Sequence, residues 1–161
     1  ALVKATTRKG YPMKRLTLLA SVLLIISATS VQAQNENNEA IVRDFIAAWS
    51  RLSPPELAGY FSEQGVYYNM PSAAVVGRDN IEQFITGFIR SWESTDWEVI
   101  SLLADGDIVM VERLDKTIVA GSPVNLPCFG YFELFDGKIT LWRDYFDLTT
   151  YTTALTAALA K

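Results

Sequence analysis

Over residues 38–52, NEAIVRDFIAAWSRL, apolar side chains recur at Ile41, Phe45, Ala48, Trp49 and Leu52. That 3.6-residue stripe predicts an amphipathic helix opening near Asn37 or Asn38. SPPELAGYF (53–61) follows, with Ser53 placed to cap and prolines in the first turn, which predicts a short second helix. GRDNIEQFITGFIRSW (77–92) predicts a third. Asp79 and Glu82 suit a capping-box start, and Ile81, Phe84, Ile85, Phe88, Ile89 and Trp92 make one face. From Trp97 the period changes to two. WEVISLLAD (97–105) and IVMVERLDKTIVA (108–120) read as strands around the turn Asp105-Gly106-Asp107. NLPCFGYFELF (125–135) and KITLWRDYFDL (138–148) read as a hairpin around Asp136-Gly137. GVYYNM (65–70) reads as a further strand, and a weakly amphipathic helix starts near Thr149 or Thr150. Helices followed by a long antiparallel meander predict an α+β domain with helices on one face of the sheet.

The first 33 residues are of another kind. Met13-Lys14-Arg15 leads into LTLLASVLLIIS and then ATSVQA, the three-part layout of a secretory signal cut after Ala33. The apolar run is short for a membrane span, the alternative reading. No cysteine follows the small residues, so a lipid anchor is not expected. Residues 1–12, before Met13, read as vector-derived or upstream sequence, leaving residues 34–161 as one domain that is secreted or periplasmic. Setting aside the five basic residues of the leader takes the net charge from −4 to −9. An acidic body without a basic stripe argues against nucleic acid and anionic membranes as partners. The chain has no histidine and one cysteine, Cys128. Histidine-based triads, histidine-ligated zinc and an intramolecular disulfide are thereby excluded. Any catalysis must come from carboxylates, Arg, Lys, Tyr or hydroxyl groups.

Three strands carry polar residues on faces that otherwise suit a core. Tyr67 and Asn69 are two apart, as are Arg113 and Asp115, and Asp144 stands between Trp142 and Phe146. Residues two apart on a strand share a face. Buried polar groups persist when they satisfy one another, and one guanidinium has donors enough for two carboxylates. Asp144 is therefore expected to pair with an Arg113 that also holds Asp115. The alternative is that each pair simply faces solvent. Whether Cys128, Gly130 and Phe132 or Phe129 and Tyr131 share the face of Asp144 depends on the Asp136-Gly137 turn, since a one-residue slip exchanges the faces.

YYNMP, ERLD and LWRDYFDL, standing in this order, make residues 36–155 resemble the limonene-1,2-epoxide hydrolases. That family shares the cone-shaped fold of nuclear transport factor 2, ketosteroid isomerase and scytalone dehydratase. The resemblance implies a curved, mixed, mainly antiparallel sheet with N-terminal helices packed on its concave face, assembled as a homodimer. It implies that Asp144 is the general base, Asp115 the general acid and Arg113 the bridge, with Tyr67 and Asn69 holding the nucleophilic water. It further places Trp142, Phe146, Leu126, Cys128 and Phe132 in the pocket wall, with Tyr151 closing one end.

The chemistry of the residues agrees with those roles. Adding water to an epoxide takes one proton from water and delivers one to the leaving oxygen. Two carboxyl groups whose environments separate their pKa values can do both. No metal or organic cofactor is needed, and the expected partner is a small apolar epoxide. Two other readings stay open: an isomerase or polyketide cyclase of the ketosteroid isomerase kind, and a secreted binding protein for a small apolar ligand.

Overall fold

A computed structural model describes the backbone of residues 13–160 and the side chains of residues 31–160. Residues 1–12, expected to be extraneous, lie outside the described residues. The chain divides into two units, Ala1–Ala33 and Gln34–Lys161. Among the described residues no helix is long and apolar enough to cross a membrane.

The elements follow the order the periodicity predicts, with a 3-10 turn and a short extra strand in addition. They are α1 (Met13–Ala48), a 3-10 turn (Trp49–Arg51), α2 (Pro54–Gly59), β1 (Phe61–Asn69), β2 (Val75–Val76) and α3 (Arg78–Phe88). Then come β3 (Trp92–Asp105), β4 (Ile108–Val119), β5 (Ser122–Phe135), β6 (Lys138–Phe146) and α4 (Leu148–Leu159). One six-stranded sheet runs β2-β1-β6-β5-β4-β3. All its pairs are antiparallel except β1 with β6, which is parallel. Register shifts interrupt β1/β6, β3/β4 and β5/β6, and such bulges bend a strand and increase its twist. The sheet is thus curled and unclosed, with helices inside the curl. Phe45 of α1 meets Phe132 and Trp142 of the sheet edge-on at 6.0 and 5.1 Å. β5 alternates buried and exposed along its whole length, so its inner row is Val124, Leu126, Cys128, Gly130, Phe132 and Leu134.

Several details differ from the periodicity. Helix α1 does not open at Asn37 or Asn38 but runs from Met13, because no Gly or Pro interrupts residues 13–48. Asn38 is instead buried, and its amide donates to the Gly106 carbonyl at 2.8 Å. Asn35, one turn earlier, accepts from the Gly106 N–H at 2.7 Å, so two asparagines clip the β3–β4 turn. Helix α3 is capped by Gly77 at φ 91° rather than by a capping box, and it stops at Phe88. Trp92 then opens β3, five residues before the predicted start, because Trp92–Trp97 pairs with Asp115–Val119 despite its polar composition. Strand β5 starts at Ser122 and tolerates Pro123 and Pro127, which lie beyond its last pairing with β6 at Cys128.

Candidate active site

Arg113 is the centre of the site. It is fully buried, and its guanidinium makes four hydrogen bonds. Nε and Nη2 donate to Asp115 at 2.7 and 3.1 Å, and Nη1 and Nη2 donate to Asp144 at 2.8 and 2.6 Å. The expected bridge between the two carboxylates is therefore present. Asp144 comes from β6 and Asp115 from β4, with β5 between them. Arg113 reaches both because β5 offers a glycine at the crossing. Gly130 is the register partner of both Val111 and Asp144. A Cβ there would stand 2.8 Å from the Phe132 ring and 2.9 Å from Arg113 Nη1. The guanidinium also lies over the Trp97 ring at 4.5 Å, and Trp97 in turn stacks on Trp49 at 4.2 Å. Neither Gly130 nor Trp97 stands out in the sequence. The only trace of either is a glycine inside a strand pattern, which often marks a close approach. Gly130→Ala is expected to lower stability by about 1–3 kcal/mol through overpacking and to loosen the Arg113–Asp144 pair. A denaturant titration checks the first effect and turnover the second.

The β1–β6 pairing supplies the remaining polar groups. Asn69 is the register partner of Asp144 and Tyr67 that of Trp142, so both aim into the same concavity. Tyr67 lies flat on Trp142 at 4.1 Å, and Trp142 on Phe132 at 5.4 Å. Asn69 is buried, and its Oδ1 has no hydrogen-bond partner within the protein.

A cavity opens between these groups, lined by Tyr67, Asn69, Asp115, Cys128 and Asp144. Phe88, Trp92, Trp97, Thr117, Val124, Leu126, Phe146 and Tyr151 complete its wall. The free space is about 20 Å³, room for a single water. Phe88, Trp92, Phe146 and Tyr151 are the partly exposed members of the wall, so a guest larger than water requires these side chains to move aside. Two expectations need correction. Trp142 and Phe132 do not line the cavity; both are 0% exposed and belong to the core under Phe45. They share the face of Asp144 but stand deeper in the curl, where α1 covers the sheet. Leu126, Cys128, Phe146 and Tyr151 do line it. A larger cleft at Glu63, Gln64 and Val76–Asn80 is open and polar and gathers no comparable cluster.

Burial dominates the electrostatics. It works against the charge on Arg113, but Asp115 and Asp144 outweigh it and hold the guanidinium firmly protonated. Burial raises Asp115 to about 6, against the pull of Arg113 and helped by the charge on Asp144. Asp144 is raised by burial too, and Arg113 and the Trp142 side chain oppose that rise. The two carboxyl groups share Arg113 and titrate as a coupled pair. Burial, then the Asp144 charge, holds the Tyr67 hydroxyl well above its ordinary value, so it remains a donor. Burial and the Asp115 charge likewise keep Cys128 a thiol rather than a thiolate nucleophile. Ligand atoms of Asp115, Cys128 and Asp144 lie within 4.8 Å of one another, the spacing of a cation site. Arg113 already supplies the positive charge there, and its four donors occupy both carboxylates.

The chain as a whole is similar to known proteins. The family model of the limonene-1,2-epoxide hydrolase catalytic domain covers residues 36–157. Epoxide hydrolase EphG of Mycobacterium tuberculosis is 51% identical over 45 residues, which span 28% of this chain and 30% of that protein. A solved LEH-like epoxide hydrolase of M. tuberculosis superposes with a TM-score of 0.67 at 25% identity, covering 78% of this chain and 94% of that one. A Catenulispora acidiphila protein with a ketosteroid isomerase-like fold superposes at 0.66 and 23% identity, covering 72% and 92% of the two chains. The last likeness concerns the fold; the family model spans nearly the whole second unit, and this chain belongs to the limonene-1,2-epoxide hydrolase family.

Proposed function

We propose that the protein is an epoxide hydrolase that adds water to a small apolar epoxide in one step and releases a vicinal diol. The observation that carries this reading is the unpartnered Oδ1 of Asn69, a residue that lines a water-sized space beside the Arg113-bridged carboxylates. A water there gives one proton to Asp144 and directs the other at Asn69 Oδ1. The Tyr67 hydroxyl donates to one lone pair. The second lone pair is left for the epoxide carbon, so the nucleophile is oriented before reaction. As the water oxygen bonds to carbon, its proton passes to Asp144. The carbon–oxygen bond of the ring breaks, and the alkoxide takes the proton of Asp115. Exchange with solvent resets the pair. Family membership supports these roles for Asp144, Asp115, Arg113, Tyr67 and Asn69, and so does the presence of all but Arg113 in the lining of one cavity.

Heavy-oxygen water provides the test. A single turnover should place the label in the diol and none in the protein. Label on Asp144 would mean an ester intermediate and would overturn direct attack by water. An isomerase or a carrier would put no solvent oxygen in any product. No separate observation favours either alternative, and an isomerase would leave the second carboxylate of the Arg113 pair unused. Asn69→Ala is expected to raise the barrier by about 2–4 kcal/mol, the scale of one well-placed hydrogen-bonding group. The loss should fall on kcat, because apolar walls supply most of the binding.

The pH profile follows from the same assignments. Asp115 must be protonated, so kcat/KM should fall about tenfold per pH unit above the apparent pKa near 6. Asp144 must be ionised, so the rate should fall again on the acid side as its raised group takes up a proton. A rate that climbs steadily from pH 5 to 9 would contradict the assignment of Asp115.

We further propose that the leader is removed after Ala33 and the protein exported, which the intact mass of exported material would settle. A homodimer is also proposed. Phe129, Tyr145 and Met110 stand exposed on the outer sheet face, and sedimentation would report whether a second copy covers them.

A further inference from the structure

Beyond the carboxylate pair, the cavity has a second polar station. Thr117 follows Asp115 by two residues on the inner face of β4 and is buried in the wall. In register, it stands between the positions that face Trp97 and Trp92. Its hydroxyl lies 2.8 Å from that of Thr95, and the Thr95 hydroxyl lies 3.2 Å from the Lys116 carbonyl. When Thr95 donates to that carbonyl, Thr117 donates to Thr95, and the Thr117 oxygen keeps an unused acceptor site. The Trp97 indole N–H is buried, belongs to a wall residue and has no hydrogen-bond partner. The Trp92 N–H, also without one, lies near the Tyr151 hydroxyl. A hydrocarbon epoxide would leave the Trp97 donor and the Thr117 acceptor unpaired, which costs binding energy. A carbonyl would serve the indoles and leave Thr117 unmatched. A hydroxyl both donates and accepts.

We propose that the substrate is an epoxy alcohol whose hydroxyl is bound by Thr117 and the Trp97 indole N–H while the epoxide oxygen meets Asp115. The proposal rests on the epoxide-hydrolase reading and names the substrate class of that site. Two residues along a strand span about 7 Å, so the hydroxyl lies about that far from the epoxide oxygen. That is the reach of an extended four-carbon spacer, and it excludes alcohols directly beside the epoxide.

The test compares 5,6-epoxyhexan-1-ol with 1,2-epoxyhexane, which differ only in the terminal hydroxyl. The wild type should favour the alcohol by about 10–100-fold in kcat/KM, because a site built to hydrogen-bond a group discriminates against its absence. Thr117→Val, which keeps the side chain's shape, should bring that ratio close to one. Equal rates in the wild type, or a preference that survives Thr117→Val, would overturn the proposal. If neither compound is hydrolysed, the function reading fails separately, and tryptophan fluorescence titration of the unchanged epoxides decides. Tighter binding of the alcohol that Thr117→Val abolishes would support the hydroxyl site, and equal binding would refute it.

Discussion

Asp144→Asn is expected to lower the single-turnover rate of epoxide opening by about 10²–10⁴-fold, the scale of a positioned general base, while the protein stays folded. Asn keeps the shape and one acceptor oxygen for Arg113, but it cannot take a proton from water. A second effect acts in the same direction. Asp115 owes part of its raised pKa to the charge on Asp144. Without that charge, Asp115 becomes the sole counter-ion of Arg113 and gives up its proton at lower pH. In the proposed roles, one substitution thus removes the base and weakens the acid. Asp115→Asn should be similarly damaging, since an amide has no proton to deliver to the alkoxide. The carboxyl resonance of Asp115, followed by NMR across pH in wild type and Asp144→Asn, checks the coupling directly. Activity within tenfold of wild type in either variant would remove that residue from the chemistry.

Arg113→Met is expected to destabilise the fold by about 3–5 kcal/mol near neutral pH, the cost of leaving buried charge uncompensated. Four hydrogen bonds to two buried carboxylates disappear at once. The size of the defect should depend on pH, and the sign can be worked out. Burial already raises both carboxylates above their unfolded values, and Arg113 is the main force opposing that rise. Without it, both folded pKa values move further up. A carboxyl raised in the folded state contributes stability that is complete below its unfolded value, near 4, and is lost as pH climbs through the folded value. The melting temperature of Arg113→Met should therefore approach that of wild type at pH 4 and fall well below it at pH 8. A deficit equal at both pH values would mean that lost packing, not uncompensated charge, is the cause. Arg113→Lys should fold better and still turn over poorly, because an ammonium lacks the planar fork that serves two carboxylates.

Much of the site is legible in the amino-acid sequence alone. A strand's period of two places Arg113 with Asp115, and Tyr67 with Asn69, on common faces whatever the sheet around them does. The turn at Asp136-Gly137 follows from turn chemistry, whereas alternation leaves open which row of β5 is buried, and the register decides it. Period two says nothing about how strands are shifted against each other, and the remaining decisions are of that kind. Asn69 meets Asp144 only because β1 joins β6 in parallel, a pairing between segments about 75 residues apart that no local pattern encodes. Gly130 falls beneath Arg113 only in a register that also passes the shift at Glu133/Leu134. Trp142 and Phe132, expected in the wall, lie in the core. Sharing a face with Asp144 fixes their side of the sheet, but how far α1 reaches into the curl decides which of them water can touch. Trp97 acquires its place under the guanidinium through β3, whose first five residues are too polar to announce a strand and pair because β4 is there to receive them. Composition and spacing thus determined which chemistry was possible: carboxylates and an arginine, without histidine. Only the tertiary structure decided which groups touch, because hydrogen-bond reach is set by register and curvature, and both belong to the whole sheet rather than to any one strand.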